Sequence, residues 1–304
     1  MAHPLAGIYV ALVTPMKPDL APDLEALPNA LDFMAQRGCH GVLILGTTGE
    51  GPSFSVAESL DIFRAASQIH QVRPDFRLLA GTGTPSLTAT MEVTEAVFKL
   101  DYAGVVVLPP YYYRKASDEG LFAWFSDLLS KAVPASGYLL GYHFPSAAGV
   151  SFSLDLLSRL KDAFPGKFAG IKDSSHDVDF ACQLGTRFGD DLLVLNGTDA
   201  YLQLAMQAKA QGCITAPANL ISPDLRCIWD GFQQGKDISS EQEHVSKLRY
   251  LLEKYLPFPP VLKALLSQLH GFPFWKVRPP LVDLDGKTVA QALAEYQSAY
   301  IQGG

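Results

Sequence analysis

The chain has 304 residues, is 48% hydrophobic and carries a formal net charge of −7, from 24 Lys and Arg against 31 Asp and Glu. That length supports one large α/β barrel or two ordinary domains around a sizeable core, and neither sign of charge is gathered into a block, which excludes nucleic acid as a partner. Cys39, Cys182, Cys213 and Cys227 are far apart with no C-x-x-C, the segment Met1–Gly7 has no leader character, and no apolar stretch reaches the roughly 18 residues of a membrane span, so the expectation is a soluble, cytoplasmic protein whose cysteines are reduced core residues.

In chain order, Gly7–Val13 is an apolar, β-branched run closed by Thr14-Pro15 and reads as a first buried strand. Residues 23–37 then place Leu24, Leu27, Leu31 and Met34 at helical spacing, with Gly38 as a stop. The alternation recurs. Further strands are expected at Gly41–Leu45, Leu78–Gly81, Gly104–Leu108, Tyr138–Phe144, Phe168–Lys172, Leu192–Asn196 and Gly212–Thr215. Helices are expected between them at 55–70, 86–99, 118–132, 153–163, 177–187 and 199–210, and after the last strand at 223–234. Near-continuous apolar strands alternating with amphipathic helices call for a parallel sheet buried on both faces, and eight such units fit a (β/α)8 TIM barrel. An open doubly wound sheet is the other candidate, but Gly81-Thr82-Gly83-Thr84-Pro85-Ser86 lacks the third glycine of a dinucleotide fingerprint. After residue 236 the pattern is purely helical, at 240–256, 258–270 and 287–301. The expected organisation is therefore a catalytic barrel over 1–236 with a C-terminal helical extension over 237–304, packed on the barrel or on a neighbouring subunit.

Barrel active sites lie at the carboxyl ends of the strands. At the sixth, the apolar run Phe168-Ala169-Gly170-Ile171 ends in Lys172 before Asp173-Ser174-Ser175. A free lysine is a neutral amine in roughly one molecule of 2,500 at pH 7, and a desolvated pocket moves that balance toward a nucleophile able to form a Schiff base with a ketone. The alternative is a surface lysine opening a loop. At the second strand end, Gly46-Thr47-Thr48-Gly49-Glu50-Gly51 offers a tight turn, exposed N–H groups and two hydroxyls, the makings of a carboxylate or phosphate cradle or of a plain turn. The fourth ends in Tyr111-Tyr112-Tyr113, suited to subunit packing or proton relay. At the fifth, alternation sends Tyr142 and Phe144 to one side and His143 to the other, so a Tyr142 in the barrel mouth shares its space with Lys172 while His143 is structural.

These four strand ends together resemble the dihydrodipicolinate synthase/N-acetylneuraminate lyase family of Schiff-base barrel enzymes, through Gly46-Thr47-Thr48-Gly49-Glu50, Pro110-Tyr111-Tyr112, Tyr142-x-x-Pro145 and Gly170-Ile171-Lys172. The resemblance spans the chain and extends to Asn196-Gly197-Thr198-Asp199, Gly212-Cys213-Ile214 and Val277-Arg278-Pro279-Pro280-Leu281. It implies that Lys172 forms an imine with pyruvate or a pyruvyl substrate, that Tyr142 is the acid/base group, and that Thr47 and Thr48 at the Gly46 turn hold the carboxylate. It further implies that Thr47 links Tyr142 to Tyr112 of a neighbouring subunit and that Gly197 and Ile214 line the site. A homodimer or homotetramer and no cofactor are implied as well.

Synthases of the family usually show Tyr-Asn-x-Pro-Ser-Arg-Thr-Gly, whose arginine pairs with the carboxylate of aspartate semialdehyde. Here Tyr142-His143-Phe144-Pro145-Ser146-Ala147-Ala148-Gly149 puts Ala147 in the arginine's place. A buried carboxylate without that partner loses about 1–3 kcal/mol of binding. The small residue is similar to 2-keto-3-deoxygluconate-type aldolases, so the expected reaction cleaves, or in reverse condenses, a 2-oxo-3-deoxy sugar acid to pyruvate and an aldehyde. A 4-hydroxy-tetrahydrodipicolinate synthase and a 2-oxo-3-deoxy acid dehydratase stand as alternatives. Two readings outside this class are a metal-dependent aldolase, for which the seven histidines show no pair at i, i+2 or i, i+4, and a non-catalytic binding protein on the same fold.

Overall fold

A computed structural model describes residues 3–301 of the chain. Met1 and Ala2, part of the segment read as lacking a leader, lie outside them. Eight strands pair in parallel, each with the next: β1 (Gly7–Ala11), β2 (Gly41–Ile44), β3 (Arg77–Gly81), β4 (Gly104–Val107), β5 (Tyr138–His143), β6 (Phe168–Asp173), β7 (Leu193–Asn196) and β8 (Gly212–Thr215). Gly7 to Val10 of β1 pair in turn with Gly212 to Thr215 of β8, which closes the sheet into the expected barrel. The connecting helices are α1 (Leu27–Gln36), α2 (Val56–Ser67), α3 (Leu87–Phe98), α4 (Asp118–Lys131), α5 (Pro145–Ala148), α6 (Leu154–Ala163), α7 (Val178–Phe188), α8 (Leu202–Gln207) and α9 (Ala218–Gln233). Three more follow, α10 (Ser239–Glu253), α11 (Phe258–His270) and α12 (Gly286–Ile301).

Strand alternation sorts the apolar residues into two cores. Tyr9, Ala11, Leu43, Leu79, Val106, Leu140, Leu193, Leu195 and Ile214 fill the barrel, while Ile8, Val10, Val42, Ile44, Leu78 and Val105 pack outward against the helices. In α6, Leu156, Leu157 and Leu160 are completely buried in that outer core, and each such leucine contributes about 1.5–3 kcal/mol.

Several boundaries move for local reasons. The first helix begins at Leu27 rather than 23, with Pro28 in its first turn, where a missing N–H costs nothing. The last barrel helix begins at Ala218, and the expected start at 223 marks a kink: Ile221 leaves helical geometry (φ −113°, ψ 25°) two residues before Pro223. The helix expected over 199–210 is a 3-10 turn at Asp199–Tyr201 followed by the shorter α8. The cysteine expectation is half corrected. Cys39 and Cys213 are buried, but Cys182 and Cys227 are exposed, one position off the faces that α7 and α9 bury through Ala181 and Leu184 and through Leu225 and Ile228.

Between Leu139↔Phe168 and Leu140↔Gly170 the register of β5 and β6 slips by one, leaving Ala169 as an extra residue on β6. Phe168 and Ile171 therefore both belong to the outer core, although strict alternation would put them on opposite faces. Gly170 is obligatory beyond the bulge, since a Cβ there would stand 1.8 Å from the Leu193 carbonyl oxygen.

Candidate active site

After the bulge, Tyr142 on β5 and Lys172 on β6 are direct register partners at the carboxyl end of the sheet. Both side chains enter the barrel mouth. Lys172 is 3% exposed, and its Nζ lies 4.1 Å from the centre of the Tyr142 ring. Among the described residues it has no carboxylate partner. Tyr142 stacks on Phe144 at 5.7 Å, and its hydroxyl is 3.3 Å from the Thr47 hydroxyl across the mouth.

Thr47 and Thr48 stand on the turn after β2. Glu50 N–H donates to the Thr47 carbonyl, Gly51 N–H donates to the Gly46 carbonyl, and Thr14 Oγ1 donates to the Gly49 carbonyl at 2.6 Å. The N–H groups of Thr47 and Thr48 find no acceptor among the described residues, which leaves them and two hydroxyls available to an anion. Glu50 holds a left-handed φ of 57° in this turn and is clamped from the far end of the chain. Its Oε1 accepts from Lys263 Nζ at 2.6 Å and its Oε2 from the Arg278 N–H at 2.9 Å. The Arg278 guanidinium in turn bonds Glu58 at 2.5 Å and the Leu20 and Ser53 carbonyls.

Thr47, Thr48, Tyr142, Lys172, Gly197 and Ile214 line one cavity of about 310 Å³ at the mouth. Gly197 is needed there, because a Cβ would stand 2.0 Å from Ser174 Oγ. Gly46 lines an adjoining cavity of about 240 Å³, which meets the first at Thr47 and Tyr142. Two singled-out residues are not brought in. Ala147 on α5 is exposed while its neighbour Ser146 lines the cavity, and Tyr112 is 76% exposed, edge to face with Tyr113 at 5.3 Å.

Phe144 lines the cavity beside Tyr142, as alternation has it, and further walls come from residues the sequence reading missed: Ser174, His176, Phe258, and, from α10, Arg249 and Glu253. Helix α10 docks on the turn after β7, with Gln242 Nε2 donating to the Asp199 carbonyl, Ser246 Oγ donating to the Ala200 carbonyl and Arg249 Nη1 donating to Asp199 Oδ1. Gln242, Ser246, Arg249 and Glu253 recur at spacings of four, three and four. A polar stripe at that helical period was the available signal.

His143 faces the helices, as alternation requires. Its Nδ1 accepts from the Phe152 N–H at 3.1 Å and its ring stacks on Phe180 at 4.4 Å. Burial pushes its pKa down to about 4, partly opposed by the Asp177 carboxylate. Its folded pKa lies below the unfolded value, so unfolding takes up a proton between about pH 6.5 and 4, and the stability this residue supports above 6.5 is lost as pH falls through that window. His143→Asn, which offers an acceptor near Nδ1 without titrating, is expected to flatten the acid limb of the stability curve by up to about 3 kcal/mol, measured by denaturant unfolding at pH 7 and pH 4.5. An unchanged acid limb would assign the slope to other groups.

Comparison with known proteins agrees with this geometry. Residues 4–297 match the dihydrodipicolinate synthetase family. A DapA-like lyase of Chloroflexus aurantiacus is 36% identical over 298 residues, covering 98% of this chain and 97% of its own. The 4-hydroxy-tetrahydrodipicolinate synthase of Sorangium cellulosum is 35% identical, covering 96% and 95%. The crystal structure of dihydrodipicolinate synthase from Agrobacterium tumefaciens superposes with a TM-score of 0.86 at 30% identity, over 97% of this chain and 99% of that one.

Proposed function

We propose, for a chain that belongs to the dihydrodipicolinate synthetase family of carbon–carbon lyases, a reaction that runs through a Schiff base on Lys172 and cleaves a 2-oxo-3-deoxy sugar acid to pyruvate and an aldehyde. The observation that carries it is a buried lysine with no carboxylate partner among the described residues, packed over the ring of a tyrosine whose hydroxyl meets Thr47, in a cavity that the Thr47–Thr48 anion cradle also lines. Lys172 Nζ adds to the 2-oxo carbon, and loss of water leaves the iminium ion. The substrate carboxylate rests on the hydroxyls and N–H groups of Thr47 and Thr48. Tyr142 takes the proton of the C4 hydroxyl as its own phenolic proton passes along the hydrogen bond to Thr47. The C3–C4 bond then breaks, its electron pair enters the enamine, and the aldehyde leaves. Reprotonation at C3 and hydrolysis return pyruvate and the free amine.

Thr47 connects Tyr142 to the outer surface, where Tyr112 of a second subunit would complete the relay, so the reading includes a homodimer at least. Residues 237–304 are the extension in this reading, and its Arg249, Glu253 and Phe258 line one side of the mouth. The sugar-acid assignment rests on the stretch after Tyr142, where Ser146, Ala147 and Ala148 supply no cation for a second carboxylate. A second reading is the condensation of pyruvate with aspartate semialdehyde, favoured by the name of the Sorangium cellulosum relative.

Borohydride reduction after incubation with pyruvate, with a panel of 2-oxo-3-deoxy sugar acids, or with pyruvate plus aspartate semialdehyde separates these readings. A pyruvyl adduct on Lys172 after feeding a longer sugar acid, read by intact mass and peptide mapping, supports cleavage. Turnover only with aspartate semialdehyde moves the second reading to the front, and the absence of any adduct in folded protein overturns the Schiff base.

A further inference from the structure

The cavity that the Thr47–Thr48 cradle lines is also walled by a charged cluster that the reaction as described does not use. Arg249 is 3% exposed, yet it lines the cavity. Its Nη1 bonds Asp199 Oδ1 at 2.6 Å and its Nε bonds Glu253 Oε1 at 2.7 Å. The guanidinium rests on the Phe258 ring, 5.0 Å from its centre. No hydrogen bond from Nη2 is formed among the described residues, so its two donors are left for whatever enters. Glu253 lines the same wall and keeps a second oxygen, and His176 stands beside it. Partial desolvation first, and the Arg249 cation second, draw the His176 pKa below the usual imidazole value. At neutral pH this ring therefore offers one donor and one acceptor.

Building on the sugar-acid reading above, we propose that Arg249 and Glu253 of α10, with His176 of the loop after β6, are specificity-determining residues that hydrogen-bond the distal hydroxyls of the aldehyde half. The charge count separates this role from carboxylate binding. One guanidinium faces two carboxylates, Asp199 and Glu253, so the cluster is formally −1. The Asp199 side of it is fully buried and little screened by salt. A second substrate carboxylate brought there meets net repulsion, whereas hydroxyl groups, each both donor and acceptor, match a wall that presents Nη2 donors, a carboxylate oxygen and a neutral imidazole. Its charged members, Arg249 and Glu253, come from the C-terminal extension, whereas His176 follows the strand that carries Lys172.

The test compares kcat/KM for 2-oxo-3-deoxyhexonates with kcat/KM for 4-hydroxy-2-oxopentanoate, which has the same reacting atoms and no distal hydroxyls. It is run on the full-length protein, Glu253→Gln and Arg249→Lys. A ratio of two rates on one preparation is insensitive to any misfolded fraction. The native ratio is expected to favour the hydroxylated acid, and each variant to lower it about tenfold or more, because a site built to bond a hydroxyl discriminates strongly against its absence. Ratios within about twofold of native in both variants would overturn the assignment and leave α10 a structural role. If the native protein is trapped on Lys172 by pyruvate but handles both acids equally, the wall assignment falls while the Schiff base stands. If pyruvate gives no adduct, the reading beneath it has failed instead.

Discussion

Lys172→Ala is expected to lower kcat by roughly 10³-fold or more and to abolish the borohydride-trapped pyruvyl adduct, while the protein remains folded. The two halves of this expectation have separate causes. Without the amine no electron sink forms at C2, and neither Tyr142 nor the Thr47–Thr48 cradle can replace it. The fold loses little, because Lys172 has no ion pair among the described residues to orphan and contributes packing against the Tyr142 ring. The unfolding midpoint in urea should therefore shift only slightly, corresponding to about 1 kcal/mol. An undiminished adduct in this variant would place the imine on another lysine.

Lys263→Met is expected to do the reverse. Lys263 is 1% exposed and its Nζ is shared between Glu50 and the Lys276 carbonyl at 2.6 Å each, so this amine is committed to structure. Burial draws its pKa below the ordinary lysine value, and the Glu50 carboxylate opposes that shift. Removing it leaves Glu50 buried with, among the described residues, only the Arg278 N–H as its side-chain partner, a loss of about 3–5 kcal/mol of stability. Because Glu50 terminates the turn that carries Thr47 and Thr48, KM for the 2-oxo acid should rise while trapping on Lys172 persists in folded protein. Equilibrium unfolding and borohydride trapping on the same preparation check both parts. Changing Glu50 to Gln in the same variant should recover part of the stability, since no uncompensated charge then remains. An unfolding curve unchanged from the native one would show that the pair is replaceable.

These two lysines mark the boundary of what a linear reading reaches. Both sit in apolar surroundings, and only Lys172 was legible as a candidate nucleophile, because it ends a strand-length apolar run where barrels keep their chemistry. The eight alternating units were legible for the same reason: apolar period and turn residues are local properties, and they dictate a parallel sheet covered by helices whatever the details. Tyr142 followed from strand alternation, as did the outward turn of His143. Locality also set the limits. Alternation alone would have phased Phe168 with Lys172, and it is the bulge at Ala169, imposed by pairing with β5, that frees Phe168 for the outer core while Lys172 faces Tyr142. Ala147 drew attention by its place in a motif, yet the fold leaves it exposed and turns Ser146 to the cavity. Arg249 and Glu253 were passed over because nothing near them in the chain is catalytic; Asp199, 50 residues earlier, gives them a place. The barrel, and the meeting of Lys172 with Tyr142 at its carboxyl end, could be reached from residues adjacent in the chain, since each is written in local apolar period and alternation. Which buried lysine is paired, and which side chains of the C-terminal helices line the cavity, depend on contacts such as Glu50 with Lys263, 213 residues apart, that no local period encodes.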